Sequence, residues 1–119
     1  MKVLSHPSVG AFWTHCGWNS TLESVCEGVP MICSPCFTDQ LVNAQYVGHV
    51  WQVGLCLESG FRQEEIEMAI ERILGNGEER GEIRGKALHL KEKSDLCVEP
   101  GGSSYESLQS LVEYLSSLL

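Results

Sequence analysis

The chain has 119 residues, a length that suits one domain, with 43% hydrophobic and 20% charged residues, as in ordinary globular proteins. Eight basic against sixteen acidic residues give a net charge of -8. That balance argues against nucleic acid, which needs clustered Lys and Arg, and against a polybasic membrane patch. No apolar run approaches a membrane span, and no secretory signal is visible.

In chain order, residues 9–15 read as a strand and residues 19–27 as a helix ended by Gly28. Residues 30–35, bounded by Pro30 and Pro35, read as a second strand. A helix over 39–50 and a third strand over 54–58 complete a β-α-β-α-β rhythm. The rhythm predicts an α/β fold with a parallel sheet flanked by helices. Beyond it the chain reads as helical. Ile66, Ala69, Ile70, Ile73 and Leu74 share one helix face, and Gly75-Asn76-Gly77 breaks that helix. Residues 78–95 predict a solvated helix that buries Ile83, Ala87, Leu88 and Leu90. After a turn at Pro100-Gly101-Gly102, Ser103 and Glu106 suggest a capping box for a last helix. That helix carries Tyr105, Leu108, Leu111, Val112 and Leu115 on one side.

The informative stretch is Thr14-His15-Cys16-Gly17-Trp18-Asn19-Ser20-Thr21-Leu22-Glu23. A strand ends there, a glycine permits a sharp turn, and a helix begins at or near Asn19. A helix start exposes unpaired N–H groups and the positive end of the macrodipole, so it favours phosphate. Asn19 and Ser20 can add hydrogen bonds, and His15 stands at the strand's carboxyl end, where open α/β sheets bind ligands. Plain structural roles are equally open at this point: Asn19 as an N-cap, Ser20 with Glu23 as a capping box, His15 as a core histidine.

Six cysteines (Cys16, Cys26, Cys33, Cys36, Cys56, Cys97) are irregularly spaced, most of them among apolar neighbours. We expect reduced, structural, mostly buried thiols and hence a cytoplasmic setting. Cys33-Ser34-Pro35-Cys36 has the C-x-x-C spacing of a redox dithiol, which leaves a thiol oxidoreductase as a remote alternative. No second ligand pair supports zinc.

Leu4, His6, Pro7, Phe12, residues 14–23, Gly28-Val29-Pro30, Pro35 and Asp39-Gln40 together resemble the signature box of plant UDP-dependent secondary-product glycosyltransferases. The helical remainder looks like the tail of that family's C-terminal domain. The resemblance implies the Rossmann-like C-terminal domain of a two-domain GT-B enzyme, over residues 1–119 and incomplete at the N-terminus. It implies transfer of a sugar from UDP-sugar to a hydroxyl of a small plant metabolite, with inversion. His15, Asn19 and Ser20 would hold the diphosphate, and Glu23 the ribose hydroxyls. Trp18, through its backbone, with Asp39 and Gln40 would bind the donor sugar, and Gln40 resembles the glucose-using members. Asp39 also suits a plain N-cap.

The family's box starts upstream with a tryptophan that stacks on uracil and a glutamine nearby; here Met1-Lys2-Val3 occupies the approach to Leu4, and that stacking platform is missing. The family's catalytic histidine belongs to the N-terminal domain, so no catalytic residue is expected here. His6 has a place in the box, whereas His49 and His89 carry no motif. UDP-sugar is a co-substrate, so no cofactor is expected, nor a metal, since there is no Asp-x-Asp pair. Expected partners are the UDP-sugar donor and a small acceptor, neither nucleic acid nor membrane, with the full enzyme a monomer. A non-catalytic UDP-binding module or incomplete gene product is the other reading for the isolated chain. Residues 29–33 and 49–51 are similar to a terpenoid-glucosylating clade, and an exposed domain interface predicts poor solubility.

Overall fold

The computed structural model describes residues 3–58 and 62–119. Three parallel strands, β1 (Phe12–Thr14), β2 (Met31–Cys33) and β3 (Gly54–Cys56), form a sheet in that order. Thr14 pairs with Cys33 and Cys33 with Cys56, so the strands' carboxyl ends lie level along one edge. α1 (Trp18–Glu27) links β1 to β2, and α2 (Asp39–Gln45) runs into a π-helical turn (Tyr46–Val50) before β3. Three helices follow: α3 (Gln63–Leu74), α4 (Glu78–Val98) and α5 (Ser103–Ser117). The α/β expectation holds. The strands are shorter than their apolar runs because pairing stops where the chain turns out of the sheet.

β2 is the middle strand and is covered on both faces, which is why it reads as a continuous apolar run. Met31 and Cys33 face one way, into a cluster with Cys16, Ala44, Val47, Val53 and Ala87. Ile32 faces the other way, against Leu57, Ala69, Ile73 and Ile83. α4 contributes to both clusters through Ala87 and Ile83, so it clamps the two layers together.

Two glycines fix the connections. Gly28 ends α1 in the left-handed conformation at φ 67, and Val29 N–H donates to the Ser24 carbonyl at 3.0 Å. A side chain on Gly54 would collide with the Met31 carbonyl oxygen and with Val47. The strands approach closely there because residue 54 has no Cβ.

Three sequence expectations need correction. Ile70 and Leu74 lie at the exposed rim of α3, and Leu88 at that of α4, because each helix buries only a narrow stripe. The α5 capping box does not form: Gly102 is the N-cap, with no side-chain cap bond, and Ser103 Oγ turns to Cys97 Sγ at 3.4 Å. Only Cys16 and Cys33 are buried among the six free cysteines, so most thiols are at least partly exposed.

α5 packs on α4 and buries none of its residues. The molecule is correspondingly drawn out to 60 × 29 × 25 Å. Its radius of gyration of 16.7 Å exceeds the about 13.5 Å of a compact chain of this length.

Candidate functional site

The predicted residues lie past the carboxyl ends of β1 and β2: His15 on the loop after β1, the others in the N-terminal parts of α1 and α2. α1 begins at Trp18, one residue earlier than expected. Its N-cap is Gly17, which makes no side-chain cap. Asn19 is therefore not the N-cap, and Ser20 with Glu23 forms no capping box; both structural alternatives fall away. The first intrahelical bond runs from Thr21 N–H to the Gly17 carbonyl at 2.9 Å. The amides of Trp18, Asn19 and Ser20 precede it and have no acceptor within the helix. They leave a cluster of N–H donors at the positive end of a ten-residue helix.

Gly17 itself has φ -56, which any residue adopts, and a Cβ there would meet nothing within 4 Å. Neither backbone nor packing in this chain calls for glycine at that point. Close approach of a ligand to the backbone would.

His15 is exposed, so the core-histidine reading fails. It shares a crevice of about 370 Å³ with Ser20, Ser34, Cys36 and the end of β1. Trp13 closes one side of it, with its indole N–H bonded to Ser34 Oγ at 2.9 Å. Trp18 and Asn19 are exposed on the first turn of α1. Glu23, one turn on, is half-buried and pairs with no cation among the described residues.

Asp39 is the first residue of α2 rather than its N-cap, which is Thr38. Its carboxylate accepts from Thr38 Oγ1 at 3.1 Å and from Asn43 Nδ2 at 3.2 Å. Gln40 Oε1 accepts from the amides of Cys36 at 3.0 Å and Phe37 at 3.4 Å. That arrangement pins the loop before α2 and leaves the Gln40 amide nitrogen to donate elsewhere. Of the predicted residues His15 and Ser20 line this crevice; Trp18, Asn19 and Glu23 lie elsewhere on α1, and Asp39 and Gln40 on the first turn of α2.

Sequence reasoning missed three residues. Cys16 and Thr38 adopt positive φ, 67 and 55, immediately before the two helix starts. Such conformations cost non-glycine residues of the order of 1–3 kcal/mol and persist where surrounding bonds enforce them. Cys16 is held by its N–H to Thr14 Oγ1 at 3.0 Å and by its carbonyl, which accepts from Asn43 Nδ2 at 2.8 Å. Asn43 is the third missed residue. Its spacing of four from Asp39 along a helix was the one available signal.

Cys33 is fully buried, and hydrogen bonds with the thiols of Cys16 and Cys56, then burial, push its own thiol far up. Cys36 is exposed and bonds to the Ser34 carbonyl at 3.8 Å. A redox dithiol needs an accessible thiolate, which Cys33 does not provide. A larger crevice, about 470 Å³, lies between α2 and β3 against Leu41, Val42 and Cys56. It is lined by none of the predicted site residues.

The family model "UDP-glucoronosyl and UDP-glucosyl transferase" matches residues 1–90. The chain belongs to this family. It is 57% identical to UDP-glycosyltransferase 76G1 of Stevia rebaudiana, over 98% of this chain and 25% of that protein. It is 50% identical to UDP-glycosyltransferase 76E4 of Arabidopsis thaliana, over 98% of this chain and 26% of that one. Among solved structures it resembles a UDP-glucose:anthocyanidin 3-O-glucosyltransferase in complex with UDP. The TM-score is 0.92 at 43% identity, covering 98% of this chain and 26% of the other. Os79 from O. sativa, in complex with U2F and trichothecene, gives a TM-score of 0.88 at 32% identity, covering 94% and 26%. These transferases have the GT-B fold, and the resemblance read in residues 4–40 agrees with the family match. The chain spans about a quarter of the length of its relatives. The thiol oxidoreductase reading is set aside.

Proposed function

We propose that this chain is the donor-binding part of a plant UDP-glycosyltransferase that moves glucose from UDP-glucose to a hydroxyl of a small plant metabolite. The observation that carries the reading is the uncapped start of α1 behind Gly17, with His15 and Ser20 in one crevice beside it. Oriented amides and an imidazole suit a diphosphate, and fixed donors there stabilise the negative charge that grows as UDP leaves. Glu23, half-buried and without a cation partner among the described residues, takes the ribose hydroxyls. Trp18, Asp39 and Gln40 take the sugar; Asn19 joins His15 and Ser20 on the diphosphate.

The general base that deprotonates the acceptor comes from an N-terminal acceptor domain outside these residues. These residues therefore bind the donor without turning it over. The likeness to transferases whose structures contain UDP supports the donor assignment. For the full enzyme we propose a cytoplasmic monomer; among the described residues no helix is long and apolar enough to cross a membrane.

Calorimetry with UDP tests the reading. Binding should be measurable and fall about tenfold in Glu23→Ala, the worth of one hydrogen-bonded charged group. Equal affinities would remove Glu23 from the ribose. Incubation with UDP-glucose and a panel of phenolic and terpenoid alcohols should give no product. Sustained turnover would contradict the assignment of the base to another domain.

A further inference from the structure

Asn43 is buried, on the inner face of α2, and belongs to none of the roles assigned above. Its side-chain nitrogen donates to the Cys16 carbonyl at 2.8 Å and to Asp39 Oδ2 at 3.2 Å. Those two bonds use both of its N–H groups. They join elements 27 residues apart in sequence: the strained loop that ends at Gly17, and the carboxylate at the start of α2. The other Asp39 oxygen is held by Thr38 Oγ1, so the carboxylate is fixed on both sides.

We infer that Asn43 is a positioning residue that locks the Asp39 carboxylate at a set distance from the diphosphate loop, so that the sugar and the diphosphate of one donor are gripped in register. The inference rests on the proposed roles of Asp39 and of residues 15–20. An ordinary core asparagine at this place would support the loop alone. Its loss would weaken every nucleotide ligand alike. A crosslink to Asp39 has a different consequence: its loss falls harder on the ligand that carries a sugar.

The test compares dissociation constants for UDP and for UDP-glucose in this chain, in Asp39→Ala, in Asn43→Ala and in the double variant. Asp39→Ala should lower the preference for UDP-glucose over UDP by about tenfold, the worth of a hydrogen bond to a charged group. Asn43→Ala should lower that preference to a similar extent, and the double variant no further than Asp39→Ala alone. An Asn43→Ala variant that weakens both ligands equally, with the preference intact, overturns the inference while the reading of Asp39 stands. A preference unchanged in Asp39→Ala overturns the reading of Asp39 and the inference together. Should Asn43→Ala fail to fold, the unaltered chain decides by NMR. The Asn43 side-chain amide signal should move further with UDP-glucose than with UDP, and identical movement overturns the inference.

Discussion

Residues 3–58 and residues 62–119 differ in how many of their apolar side chains they bury, although both leave some exposed. In the first region the sheet and its flanking helices bury Met31, Cys33, Val47 and Val53 almost completely, and the three positive-φ non-glycine residues among the described residues lie there. In the second, α3 and α4 bury a narrow stripe, and α5 buries nothing while Leu108, Leu111, Val112 and Leu115 stay exposed. Apolar content is therefore a poor guide to where this molecule is held rigid. Rigidity follows from layering around β2, and the strained loops that shape the candidate site need a rigid frame to enforce them.

The sharpest way to break that contrast is to shorten one apolar side chain in each region. Met31→Ala, in the middle strand, should cost about 2–5 kcal/mol, whereas Leu111→Ala on α5 should stay within about 0.5 kcal/mol. Urea denaturation midpoints measure both. Comparable losses would mean that α5 is as integral as the sheet.

A second variant separates frame from site within the first region. Gly17→Ala meets no atom of the chain and keeps an ordinary φ, so its cost is that of a poorer N-cap, about 1 kcal/mol or less. Its effect on UDP should be larger, a loss of at least about tenfold, because the new methyl stands where the phosphate would approach. Thermal melts and calorimetry on the same sample check the pair of effects. A large melt shift with intact UDP binding would make Gly17 structural.

A small effect is expected at Thr21, whose Oγ1 is buried without a hydrogen-bond partner among the described residues. Thr21→Val removes that hydroxyl at nearly constant shape. Stability should be unchanged or raised by up to about 1 kcal/mol, read as a denaturation midpoint. A clear loss would show that the hydroxyl has a partner.

Much of the fold was legible because the signals were local. Gly28 announced the end of α1, the prolines bracketed β2, and Gly75 to Gly77 separated α3 from α4. Ile83 and Ala87 marked the buried stripe of α4. The α5 capping box was misread, and the one at Ser20 and Glu23 stayed open, because a Ser-x-x-Glu pattern does not say whether a preceding glycine takes the cap, as Gly17 and Gly102 do. Around the site, the residue types of the box pointed to the carboxyl edge of β1 and β2, where the structure places His15 and the starts of α1 and α2. The positive φ of Cys16 and Thr38 left no trace in the sequence, since neither residue type favours it. Asn43 was hidden for a similar reason: its partner Cys16 is distant in sequence and offers a carbonyl that any residue carries.

Backbone amide shifts during a UDP titration are the sharpest check on the proposal that the amides opening α1 grip the diphosphate. The amides of Asn19 and Ser20 should move most, with those of His15, Gly17 and Trp18 beside them. Shifts concentrated in the crevice at Leu41, Val42 and Cys56, with residues 17–20 unmoved, would contradict it.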